Sequence, residues 1–179
     1  MARSIQARFN PYDYRKWMAS ATALRSLVKI EEDRLPRISS YGYRNEVSKV
    51  ISSQNFHQKV PALSASYRVW KSKHGFPLSI GILKRDLLQN LVVMRMSRGL
   101  YYSGVDPTAS DEGKKNWYLN GAPKKIITYA TWLEVGRGRT STGGPQPARP
   151  IFIPTANWFA DNVWLKNNEV VLNLMKRIW

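Results

Sequence analysis

The chain reads as an α+β domain: N-terminal helices, a small antiparallel sheet of about four strands carrying a long loop, and a C-terminal helix. Three observations predict it. Apolar residues recur at three- and four-residue spacing through the first half and again after residue 155. The period changes over residues 91–96, a run rich in β-branched residues, with a second run at 100–105 across Arg98-Gly99. Between them and the final periodic stretch, residues 136–147 hold four glycines and two prolines, which marks a loop.

The elements follow in order. Residues 1–9 are short and basic, a terminus that a partner would have to order. Asn10 can cap a helix, Pro11 fits its first position and Asp13 favours the positive end of its dipole. Tyr14, Trp17, Met18, Ala21, Leu24 and Val28 then share one face. Pro36 is expected to end this helix, and Ser40 to begin a weaker second one with Tyr43, Val47, Val50 and Ile51 on a face. Residues 64–74 predict a third short helix, capped by Ser64 and stopped at Gly75. Residues 80–90 predict another helical turn or two. The hairpin at 91–105 follows, then a polar loop at 106–113 and a short strand at 117–119. Residues 125–128 are either a fourth strand or the lead into an aromatic segment at 129–135. Thr155 is expected to cap the last helix, with Asn167-Asn168 as a place for it to bend. The organisation is one compact unit, with residues 1–55 as a helical extension and 56–179 as the core.

Hydrophobic residues make up 43% of the 179, enough for a packed core, and seven tryptophans and nine tyrosines supply large buried areas or interface anchors. The net charge is +16, which calls for a setting that tolerates positive charge: nucleic acid, an anionic surface or an acidic neighbouring subunit. With no cysteine there are neither disulfides nor thiolate metal sites. No apolar run is long enough for a signal peptide core or a membrane helix, so no membrane partner is expected and folding in a cytoplasm is.

Chemistry is sparse. His57 and His74 lack metal-ligand spacing, and half of the acids fall in two solvated groups, 31–33 and 106–112. Glu134 differs, an acid inside an apolar segment. It is either a catalytic base or a structural acid pairing with an arginine such as Arg149, and no second carboxylate or nucleophile accompanies it. Gly136-Arg137-Gly138 lacks the lysine-serine pair of a phosphate loop. The reading is therefore no enzyme, no cofactor and no metal. Between residues 38 and 105 stand ten Lys/Arg against two acids, compatible with phosphate contact but matching no named nucleic-acid motif.

Two stretches together resemble a known group. One is Leu63-Ser64-Ala65-Ser66-Tyr67-Arg68-Val69-Trp70-Lys71 with Ile82-Leu83 and Leu87 after it. The other is Tyr129-Ala130, Glu134, Gly136, then Arg149-Pro150 with Phe152. In this order they resemble the neck and tail-completion proteins of tailed bacteriophages, also termed virion morphogenesis or minor tail proteins. The resemblance covers roughly residues 60–179. Arg85-Asp86 stands where the family has Thr-Gly, and Val135 where it has Phe.

What the resemblance implies is a structural virion protein in the neck or tail, assembled in the host cytoplasm. It would form a homo-oligomeric ring, a hexamer favoured, between the portal or connector and the tail-tube or sheath proteins, with room for contact with DNA in the lumen. Tyr129, Ala130, Glu134, Gly136, Arg149 and Pro150 would form its structural motif: Glu134 accepting from backbone donors or Arg149, Gly136 turning the chain out, Arg149-Pro150 fixing its return. Arg137, Arg139, Pro145, Gln146 and Pro147 on the loop, with Lys71, Lys73, Lys84 and Arg85, are the expected interaction residues. The rival reading is a basic nucleic-acid-binding module.

Overall fold

The computed structural model describes residues 11–80, 86–110, 125–140 and 143–178. Helix and strand are mixed. Helix α1 spans Pro11–Ser53, α2 Ala65–Lys73 and α3 Asp86–Gln89. Strands β1 (Leu91–Ser97) and β2 (Leu100–Val105) form an antiparallel hairpin. Helix α4 (Ile126–Val135) leads into β3 (Arg137–Thr140) and β4 (Gly143–Gln146), which pair with each other as a separate antiparallel ribbon. Helix α5 (Phe152–Phe159) continues through a π turn, Ala160–Trp164, into α6 (Leu165–Ile178).

The first departure from expectation is α1, one helix running through Pro36 rather than two. Proline removes the N–H that would bond the carbonyl of Glu32 four residues back. The hairpin turn occupies that place. Gly99 has φ +71°, which favours glycine, and a Cβ there would also press on the Glu32 carbonyl oxygen at 3.0 Å. Beside it the Asp33 carboxylate accepts from the Gly99 N–H and the Arg95 guanidinium at 3.0 Å each and from the Tyr101 hydroxyl at 3.2 Å. The Gly99 N–H, foremost, with the other two donors and the Arg95 charge, lowers the Asp33 pKa against the opposing effect of desolvation. Tertiary contacts thus hold the helix where local propensity would stop it.

The sheet also differs. The described strands form two two-stranded ribbons rather than one sheet of about four strands. Residues 125–128 belong to the start of α4, apart from a single bridge between Lys125 and Ser110. The strand expected at 117–119 lies outside the described residues. Residues 136–147, expected as loop, contain β3 and β4.

The core sits at the base of the hairpin, away from its turn. Val47, Val50 and Ile51 of α1 meet Leu87 of α3, Leu91 and Val105 (paired across the hairpin), Ile126 and Ala130 of α4, and Ile151. The stretch expected as an extension is therefore part of the core at its C-terminal end, because its Tyr43–Ile51 face packs against the hairpin and α5 and shares the core with Ile126 and Ala130 of α4. Arg44 donates to the Leu91 carbonyl at 2.8 Å and Ser103 to the Ser40 carbonyl at 2.9 Å, pinning hairpin to helix. Gly42 admits Phe159, whose ring carbon would be 2.9 Å from a Cβ there. At the other end of α1, residues 11–19 are all exposed.

Helix α2 follows its sequence signals. Ser64 accepts from the Tyr67 N–H as the N-cap, His74 is the C-cap, and Gly75 follows with positive φ. Thr155, by contrast, is inside α5 and fully buried, its hydroxyl bonded to the Ile151 carbonyl at 2.6 Å. The irregularity described in the last helix is the π turn at Ala160–Trp164, ahead of Asn167.

Candidate interaction surface

The α5 N-terminus is capped from afar. Helix α4 is apolar enough to bury Ile126 and Ala130, and its one acid, Glu134, points at the start of α5. Glu134 Oε2 accepts from the N–H groups of Ile151 and Phe152 at 2.9 and 3.0 Å, and Oε1 accepts from Ile153 at 2.8 Å. A helix start leaves such donors without intrahelical partners and favours negative charge there. One carboxylate meets both needs. Tyr43 donates to the Phe152 carbonyl at 3.0 Å in the same place. Burial, and then the Glu134 charge, push the Tyr43 phenol up to about 12.

Arg149 does not pair with Glu134. It is 3% exposed and spends its guanidinium on carbonyls: Pro61 at 2.8 Å, Ala62 at 2.9 Å and Pro147 at 3.5 Å. Burial lowers its pKa, opposed by Tyr67. Its own N–H bonds the Leu133 carbonyl at 2.6 Å. Arg149 therefore ties the segment before α2 to the end of α4 and to the chain returning from the ribbon. The carbonyls at residues 61 and 62 carry no side-chain signal, so sequence reasoning could not name them as its partners.

Between Glu134 and Arg149 the chain leaves and returns. Gly136 has φ +80°, and a Cβ there would lie 2.9 Å from both the Ala148 nitrogen and the Gln146 oxygen. Only glycine permits that turn with the strands so close. Arg137 pairs with Gln146 in the ribbon, and its Cζ stands 4.1 Å from the centre of the Trp132 ring, a cation–π contact. Tyr129 meets Trp132 edge to face at 5.3 Å. Arg139 pairs with Pro145, and Pro147 is exposed beyond the ribbon. Tyr129, Ala130, Glu134, Gly136, Arg149 and Pro150 are thus gathered at one junction, and the basic ribbon is what it holds out.

The expected cations divide. Lys73 is exposed near the end of α2. Lys71 is a correction: it is 2% exposed, donates to the Ser79 carbonyl at 2.7 Å and lies 5.6 Å from the Tyr67 ring centre. Burial brings its pKa down to about 8. Its ammonium is turned onto the Ser79 carbonyl and the Tyr67 ring rather than presented at the surface. Lys84 and Arg85 lie outside the described residues.

A shallow depression lies beside the junction, lined by Tyr43, Tyr102, Ile127, Ala130, Glu134 and Phe152. Its polar groups are engaged with the backbone: Tyr102 donates to the Val105 carbonyl at 2.6 Å, and Tyr43 and Glu134 are bound as described. Among the described residues no group of three or more His, Asp or Glu side chains could hold a metal ion. Nor is any described helix long and apolar enough to cross a membrane. Compared with family models, with curated proteins and with solved structures, the chain matches none of them.

Proposed function

We propose that this chain is a structural subunit of a tailed-phage virion, a neck or tail-completion adaptor. It assembles as a ring between the connector and the tail. One observation supports the reading: within the resemblance, Glu134 caps the residues that follow Arg149-Pro150, the Arg149 N–H bonds the Leu133 carbonyl, and Gly136 is closely approached by Ala148, so the β3–β4 ribbon leaves and returns at one fixed junction. A folded core needs no such ribbon for its own packing. An arm with its base fixed and its length free suits a contact with the next subunit, and a head-to-tail contact that closes makes a ring. The net charge of +16 favours acidic neighbours or DNA along the passage.

Electron microscopy of the purified protein, and of particles carrying it, tests the ring and its place. Deleting residues 139–144 should leave a folded monomer that fails to enter particles. Particles assembled at normal yield with the deletion would make the ribbon a passive connection. Absence of any ring, together with nucleic-acid binding that weakens steeply with salt, would replace this reading with the basic binding module.

A further inference from the structure

The ribbon is not the only part of the molecule without a function inside its own core. The first turns of α1 carry large, exposed apolar side chains: Tyr14, Trp17 and Met18 are 51%, 52% and 42% exposed. The outer side of the final helix does so as well, with Leu165 and Leu172 at 53% and 55%. That helix already packs on its own α1 by the opposite side, so these leucines face away from the protomer. Large apolar groups on two separate helical stripes mark contact surfaces.

We propose that the projecting turns of α1 dock antiparallel on the outer face of α6 of a second copy of this chain. The inference rests on the homo-oligomer reading and names the surfaces through which copies meet. On α1 the stripe is Tyr14, Met18, Ala21 and Arg25, at steps of four, three and four. On the final helices it is Leu172, Asn168, Leu165 and Asp161, at the same steps in the reverse direction. Residues so spaced share an α-helix face, which covers Leu172, Asn168 and Leu165; Asp161 stands further on, in the π turn. In antiparallel register Tyr14 meets Leu172, Met18 meets Asn168, the small Ala21 receives Leu165, and Arg25 meets Asp161.

Charge selects this occupant. Residues 11–30 expose Arg15, Lys16, Arg25 and Lys29 against one acid, Asp13. Two copies of that stripe would repel each other. The outer face of the last helices offers Asp161 and Glu169, both exposed, on either side of Leu165. Of its two exposed lysines, Lys166 stands off the stripe and Lys176 falls beyond Tyr14 in this register. The other acids near the hairpin are engaged within the protomer, Asp33 by Arg95 and Glu32 by Arg98. The two stripes are different patches of one chain, so the contact is heterologous and extends from copy to copy.

The absence of native cysteine makes the test direct. Ala21→Cys and Leu165→Cys proteins are purified separately, distinguished by a size tag, mixed and oxidised, with circular dichroism confirming that each is folded. The expected product is a mixed disulfide in excess of either homodimer, since a bridge requires Cα atoms within about 7 Å. In the cysteine-free background, Arg25→Glu and Asp161→Arg should each weaken self-association by about tenfold or more, and the double variant should recover most of the loss. Oligomers seen by light scattering without the mixed disulfide would overturn this docking and leave the ring reading standing. An excess of Ala21–Ala21 homodimer would overturn it in favour of a two-fold α1 pair. A monomer at every concentration would overturn both.

Discussion

Removing the Glu134 side chain is the sharpest perturbation of the junction. In Glu134→Ala the N–H groups of Ile151, Phe152 and Ile153 lose acceptors now at 2.9, 3.0 and 2.8 Å. Ile153 is exposed, so water can replace the carboxylate there, whereas Ile151 is 1% exposed and its N–H would be left without a partner. A buried donor left unsatisfied costs about 1–3 kcal/mol, and loss of a helix cap about 1 kcal/mol. The two overlap, so the expected destabilisation is about 2–3 kcal/mol. For a chain of this size that lowers the melting temperature by roughly 5–10 °C. Urea denaturation followed by circular dichroism measures the difference. Glu134→Gln keeps one acceptor oxygen but loses the charge and turns an amide toward one donor, so it should fall between wild type and alanine. A second readout is independent of stability. The Glu134 charge is one cause of the raised Tyr43 pKa, after burial, so Glu134→Gln should lower that pKa in an alkaline ultraviolet titration. A cost below about 0.5 kcal/mol with an unmoved tyrosine titration would show that Glu134 does not cap α5.

Two further predictions follow from the same geometry. Gly136→Ala should cost about 2 kcal/mol or more in chemical denaturation, because positive φ and a backbone clash at 2.9 Å coincide there, while Gly138→Ala, with nothing within 4 Å of its Cβ, should stay within about 0.5 kcal/mol. Lys71 releases its proton near pH 8 in the folded chain but only in the ordinary lysine range when unfolded, so between these values the unfolded chain binds more protons and stability rises with pH. Below pH 8 the buried charge is a cost carried in full, and Lys71→Met should lack the alkaline rise that wild type shows. Equal pH dependence of the two proteins would mean that Lys71 is solvated.

What could be read from the sequence, and what could not, separates by the range of the interaction involved. The Ser64 cap, the Gly75 stop and the glycine turn at Arg98-Gly99 are satisfied within a few residues, and each stands where its pattern places it. Glu134 was recognisable as structural because an acid inside an apolar helix needs donors nearby, though the donors are backbone groups 17 to 19 residues on. The misplaced features all depend on partners distant in sequence. Thr155 has the side chain of a cap, but α5 already has its cap in Glu134, so the threonine is free to sit one turn inside and bond the Ile151 carbonyl. Lys71 lies on the same local pattern as the exposed Lys73, and only the 75–79 turn folding back decides which of them is buried. Pro36 is the strongest case. Its local cost to a helix is about 3 kcal/mol, enough on its own to predict a break. Against it stand the three donors on Asp33, the Arg98 bond to the Lys29 carbonyl and the hairpin turn laid against Glu32. These contacts clamp the helix on both sides of the missing hydrogen bond, which is the physical reason it runs on through the proline. If those contacts are what carry the helix past Pro36, its continuity depends on the docked hairpin. Loosening the turn, as Gly99→Val would, should therefore lower the helical signal of α1 as well as disturb the strands.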